Sequence, residues 1–163
     1  MQSITFRIMG EIKGKMRPKA VSFGGHARVY TPQAQINSET WVRNEYLNIA
    51  SKYKFDGFKD KPVRVEIINC KKVPKSFSKK KRELALKGTI APTTKPDLDN
   101  LAKTILDALN GFAYDDDKNI VELAIIKEFG ETDYTFVTIS EWENEKVPFL
   151  EINSEDIVLE NIK

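Results

Sequence analysis

At 163 residues the chain is long enough for one hydrophobic core and short for two, so a single domain is expected. It has no run of about 18 apolar residues, and Arg7, Glu11 and Lys13 interrupt the apolar positions near its start, so neither a membrane span nor a secretory leader is expected and the protein is predicted to be cytoplasmic. The net charge of +2 conceals a division: residues 1–90 hold 20 Lys and Arg against 7 Asp and Glu, a net +13, while residues 91–163 hold 6 against 17, a net −11.

That division suggests either a phosphate-binding surface around an acidic site or two halves that neutralise each other across the fold. Cys70 has no second cysteine for an internal disulfide, and with His26 alone it cannot build a zinc site, so it reads as a buried strand residue.

Ile4, Phe6 and Ile8 alternate with Thr5, Arg7 and Met9, the period of a strand with one buried face. Lys13, Lys15, Arg17 and Lys19 follow in a stretch too rich in Gly and Pro for a helix, a basic loop suited to a phosphate backbone. Phe23-Gly24-Gly25-His26 reads as a turn into a short strand at Arg28-Val29-Tyr30. Thr31 is the expected cap of a helix with Pro32 at its first position, running to about Ser51 through Trp41, Val42, Tyr46, Leu47 and Ile49. Val63, Val65, Ile67 and Cys70 mark the expected central strand, with Arg64 and Glu66 on its other side.

Ser76 or Ser78 is the expected cap of a short helix over Lys79-Lys80-Lys81-Arg82-Glu83-Leu84-Ala85-Leu86, stopped by Gly88. With Lys75, its Lys79, Lys80, Lys81 and Arg82 form the densest positive patch, which serves either as a sequence-independent DNA contact or as a solvated face.

The next stretch organises the rest. Leu98, Leu101, Ala102, Ile105, Leu106 and Leu109 trace one apolar helix face, Asp97 or Asp99 can cap its first turn, and Asn110-Gly111 ends it. Asp99, Lys103 and Asp107 fall at i, i+4 and i+8 on the other face, beside Asn100 and Thr104. Asp115-Asp116-Asp117 then precede an apolar run, Ile120 to Ile126, that reads as a strand. Tyr134 to Ile139 is another, and Gly130-Glu131-Thr132-Asp133 is expected to join the two as a hairpin.

Carboxylates at a helix start and a strand start can converge, and their repulsion is then offset by a hard divalent cation such as Mg2+. The alternative is a helix cap and a solvated acidic turn. A calcium loop is excluded: Asp115, Asp117 and Asn119 suit its first, third and fifth positions, but Ile120 and Ile126 stand where glycine and a bidentate glutamate belong.

Pro96-Asp97-Leu98-Asp99-Asn100 with Lys103, Asp107-Ala108-Leu109-Asn110-Gly111, and Tyr114 with Asp116-Asp117 ahead of Ile120-Val121-Glu122 resemble the RusA-type Holliday junction resolvases, magnesium-dependent endonucleases of bacteria and their prophages. Lys15-Met16-Arg17-Pro18, Tyr30-Thr31-Pro32 and Val73-Pro74-Lys75-Ser76 extend the resemblance, which runs from about Ile4 to about Ile139. It implies a homodimer that nicks a four-way DNA junction at two symmetry-related strands. It further implies that Asp97, Asp99 and Asp117 bind Mg2+, with Asp116 the other claimant in the triplet and Mn2+ a substitute ion, and that Lys103 stabilises charge on the phosphate.

The expected fold is a single α/β (α+β) domain over residues 1–140, with a mixed sheet of four or five strands and helices mainly on one face. Residues 141–163 are an acidic extension. The competing functional reading is a catalytically silent, dimeric junction-binding module.

Overall fold

In the computed structural model, which describes residues 2–17, 19–23 and 26–143, the alternation of the first segment becomes β1 (Ser3–Met9), with Ile4, Phe6 and Ile8 buried and the residues between them exposed. β4 (Val63–Lys72) buries Val63, Val65 and Ile67, and β6 (Tyr134–Glu141) buries Thr135, Val137 and Ile139 on the same side. With β5 (Ile120–Gly130) they form one mixed sheet in the order β1-β6-β4-β5, parallel only between β4 and β5.

Two helices cover the buried side: α1 (Gln33–Tyr53) through Val42, Tyr46 and Ala50, and α3 (Leu98–Leu109) through Leu101, Ile105, Ala108 and Leu109. Each large side chain so buried contributes about 1.5–3 kcal/mol. α2 (Lys79–Leu86) packs beside β5. The other sheet face keeps Met9, Ile68 and Ile126 exposed, so the helices lie on one face as expected. Among the described residues no helix is long and apolar enough to cross a membrane.

Several boundaries differ from the sequence reading. Lys19–Phe23 is a strand, β2, paired antiparallel with β3 (His26–Tyr30), so the basic segment ends as one arm of a two-stranded ribbon. Pro32, not Thr31, is the N-cap of α1, with no side-chain capping bond; Gln35 and Ile36 bring their N–H groups back to the Pro32 carbonyl instead. The helix runs two residues past Ser51, closed by Lys54 at φ 52°. β6 takes in Glu141, and residues 144–163 of the acidic extension lie outside the described residues.

The expected β5–β6 hairpin does not form, because β4 lies between the two strands. Residues 131–133 instead cross the end of β4: the Val73 N–H donates to the Gly130 carbonyl at 3.0 Å and the Lys72 N–H to the Asp133 carboxylate at 3.0 Å. Gly130 makes this crossing fit, since a Cβ there would stand 2.2 Å from the buried Cys70 Sγ.

Gly130→Ala is therefore expected to destabilise the fold by about 1–3 kcal/mol through overpacking. Cys70→Ala should recover part of that loss, a coupling readable by chemical denaturation of both single variants and the double. Equal losses in the two backgrounds would place the strain away from Cys70.

Candidate active site

Asp97 occupies the N-cap position of α3 with extended backbone, φ −68° and ψ 148°. Its carbonyl accepts the Leu101 N–H, but its carboxylate makes no capping bond, contrary to the cap expected of it. Asp99 is exposed in the first turn. Among the described residues neither carboxylate has an ion pair or hydrogen bond, so two anionic groups stand free at one helix start, whose open N–H groups favour negative charge. Thr104, expected beside the exposed ridge, is buried, with its hydroxyl donating to the Asn100 carbonyl at 3.0 Å.

The basic loop reaches the same place. Its backbone is tied to α1, with the Lys13 N–H donating to Ser38 Oγ at 3.1 Å and the Met16 N–H to Gln35 Oε1 at 3.0 Å, and to α3 through the Lys15 N–H and the Asn100 carbonyl at 2.9 Å. Gly14 permits this approach, because a Cβ would stand 2.8 Å from that of Pro96. Between loop and helix lies a cleft of about 680 Å³ lined by Lys13, Lys15, Arg17 and Lys19 on one side and Lys95, Asp97 and Asn100 on the other.

The four basic residues differ in freedom. Lys15 bonds Asp107 and Glu39, the latter at 3.1 Å, and Lys13 bonds Glu11 at 2.6 Å. Burial lowers the pKa of Lys15, but its bonds to Asp107 and Glu39 outweigh that and leave it above the ordinary lysine value. Arg17 and Lys19 have no ion pair among the described residues. Nothing in the sequence near Lys15 points to Glu39 or Asp107, but Gln35 and Ser38, polar residues at buried positions of α1, were a signal that a loop docks there.

The aspartate triplet divides by local bonding. Asp115 accepts the Asp60 N–H at 2.8 Å and faces Lys59 Nζ at 3.1 Å, and these two, in that order, hold its pKa below the usual carboxylate range. Asp116 caps the 3-10 turn Asp117–Asn119 by accepting the Lys118 N–H at 3.1 Å, and this bond holds its pKa below the usual carboxylate range too. Asp117 opens that turn and is exposed.

The buried Tyr114 hydroxyl, donating to the Leu106 carbonyl at 2.9 Å, is pushed well above the ordinary phenol pKa by burial and then by the charges of Asp117 and Asp107. Asp117 thus stands near the second half of α3, while Asp97 and Asp99 stand at its start. From Asp99 to Asp107 the helix rises about 12 Å. Lys103 lies between, its Nζ 3.9 Å from Asp107 Oδ1 and its side chain 61% exposed.

Among the described residues, no three His, Cys, Asp or Glu side chains gather closely enough to hold a metal ion. Mg2+ usually takes one or two protein carboxylates and completes its shell with water and phosphate oxygens. Asp97 and Asp99, oxygen donors without a partner among the described residues, fit that demand as a pair.

The second basic patch is separate from the cleft. Ser78 caps α2 as expected, accepting the Lys81 N–H at 3.3 Å. Arg82 bonds Glu131, and Lys81 sits 4.1 Å above the Phe77 ring, whereas Lys75, Lys79 and Lys80 are exposed without an ion pair among the described residues.

The sequence model of the family described as endodeoxyribonuclease RusA matches residues 9–140. The chain is also 34% identical over 143 residues to the uncharacterized protein YqaN of Bacillus subtilis (strain 168), an alignment covering 86% of this chain and 98% of that protein. The matched span runs from the last residue of β1 into β6 and contains the basic loop, all of α3 and the aspartate triplet, so the chain belongs to the RusA endodeoxyribonuclease family.

Proposed function

We propose that the protein is a Mg2+-dependent endodeoxyribonuclease that resolves four-way DNA junctions by paired, symmetric nicks during recombination and repair. The observation that carries this reading is the cleft in which Arg17 and Lys19, without an ion pair among the described residues, face Asp97, a carboxylate likewise without a partner among them. A phosphate backbone drawn to the basic wall is brought to the acidic one.

In this mechanism Asp97 and Asp99 would hold the cation as a pair, and Asp117, nearer the second half of α3, would be the third acid, acting through the ion's water shell and not as a direct ligand beside them; Asp116 has the weaker claim because its carboxylate already caps a turn. The chemistry that Mg2+, or Mn2+ in its place, would supply if held there is a lowered pKa for an attacking water and compensation of charge on the scissile phosphate. Lys103 meets the charge that develops on the phosphate oxygens. Lys13 and Lys15, each bonded to a carboxylate, shape the cleft wall more than they neutralise DNA. Two cuts need two sites, and the homodimer this requires is supported by the uncovered sheet face, where Ile68, Ile126 and Phe136 line a groove of about 280 Å³.

The test is incubation with an end-labelled synthetic four-way junction, with and without Mg2+. Paired nicks that require the cation are expected. Junction binding with no cleavage at any Mg2+ concentration would leave a silent binding module in place of the enzyme.

Replacing Lys79, Lys80 and Lys81 together by alanine is expected to weaken junction binding irrespective of sequence. The slope of log affinity against log salt should fall by roughly 0.9 for each phosphate that is no longer neutralised. An unchanged slope in a salt titration returns α2 to an ordinary solvated face.

A further inference from the structure

Two lysines on the covered side of the sheet need explaining. Lys71 continues the inward series Val63, Val65, Ile67, Asn69 on β4, and Lys127 follows Ile125 on the adjacent parallel strand β5. An ammonium group placed there loses water and must find acceptors. Lys71, whose side chain is 13% exposed, donates to Glu11 Oε1 at 2.9 Å and to the Lys95 carbonyl at 2.8 Å. Lys127 donates to the Thr94 carbonyl at 2.8 Å and the Pro96 carbonyl at 3.0 Å, and has no carboxylate partner among the described residues.

Three consecutive carbonyls, those of residues 94, 95 and 96, are thus gripped by two ammonium groups from the sheet, and the third belongs to the peptide that carries Asp97. The same lysines bring positive charge to a loop that ends in two carboxylates without partners among the described residues, and their bonds to that loop fall on backbone carbonyls, so they do not occupy the carboxylate oxygens. An apolar residue at 127 would leave the Thr94 and Pro96 carbonyls without these donors and would remove one positive charge from the loop that leads to Asp97 and Asp99.

We propose that Lys127, assisted by Lys71, is a positioning residue that holds Asp97 where it takes a divalent cation. This rests on Asp97 and Asp99 being the cation-holding pair, and the two ideas fail differently. Mn2+ binding to the full chain, without DNA, is followed by the loss of the free-ion electron paramagnetic resonance signal, for wild type, Asp97→Asn, Lys127→Met and Lys127→Arg.

Lys127→Met should melt cooperatively yet bind Mn2+ at least about tenfold more weakly, the usual size of an outer-shell effect on metal affinity. Lys127→Arg, which keeps a charged donor, should recover most of that loss. If Lys127→Met does not fold, Lys71→Met and Lys127→Gln carry the same expectation. If Asp97→Asn loses the ion and the folded lysine variants bind it as wild type does, the positioning role is wrong and the cation site stands. If Asp97→Asn binds as wild type does, the cation site itself is wrong and the role of Lys127 falls with it.

Discussion

Asp99→Asn is expected to abolish junction cleavage, a loss of about three orders of magnitude, and to leave junction binding intact or slightly tighter. The substitution preserves size and removes one negative charge from a side chain that is exposed and has no partner among the described residues. Its structural cost is confined to the interaction of a first-turn carboxylate with the helix N-terminus, about 0.3–1 kcal/mol. Fold and DNA contacts therefore survive, and repulsion between the cleft and the phosphate backbone decreases. On the proposed reading the substitution would remove one of the two oxygen ligands of the cation, and with it the chemistry that the ion would supply. Single-turnover cleavage at saturating enzyme gives the rate, and electrophoretic binding in chelator gives the affinity. Parallel loss of binding and cleavage would show that Asp99 supports the fold or the DNA contact instead of the ion.

The elements whose side chains repeat with a clear period were legible from the sequence. The run from Leu98 to Leu109 folds as a helix with Leu101, Ile105 and Leu109 inward, and Ile4, Phe6 and Ile8 line the inner face of a strand. Periodicity reports which face is buried, but it does not report what lies alongside. Gly130 to Asp133 has the composition of a hairpin turn, and local composition cannot reveal that β4, some sixty residues earlier, occupies the place between β5 and β6.

The same limit separates the charged residues of the site. By residue type alone Asp115 and Asp117 are equivalent, and only the family resemblance separated them in the sequence; in the structure they differ because Lys59 and the Asp60 N–H reach the first. Lys15 reads like Arg17 and Lys19 until Asp107, 92 residues away, is brought against it. A charged side chain in isolation reads as available for DNA; only the folded chain shows which ones already have partners.

Lys103 is a residue for which that distinction carries a kinetic expectation. The spacing allowed an i, i+4 pair with either Asp99 or Asp107, and the structure forms the one with Asp107, at 3.9 Å and with the lysine side chain 61% exposed. Such a pair contributes about 0.2–0.5 kcal/mol. Asp107 also keeps Lys15 as a closer partner, so losing Lys103 leaves no carboxylate unpaired. Lys103→Met should accordingly leave the melting temperature and junction affinity nearly unchanged. If its ammonium stabilises the charge that develops on the scissile phosphate, the same substitution lowers the single-turnover cleavage rate by about two orders of magnitude. Lys103→Arg keeps the charge but replaces a compact ammonium with a broad planar fork, so it should restore only part of the rate. Cleavage by Lys103→Met at near wild-type speed would reduce this lysine to the modest helix pair that its distance from Asp107 describes.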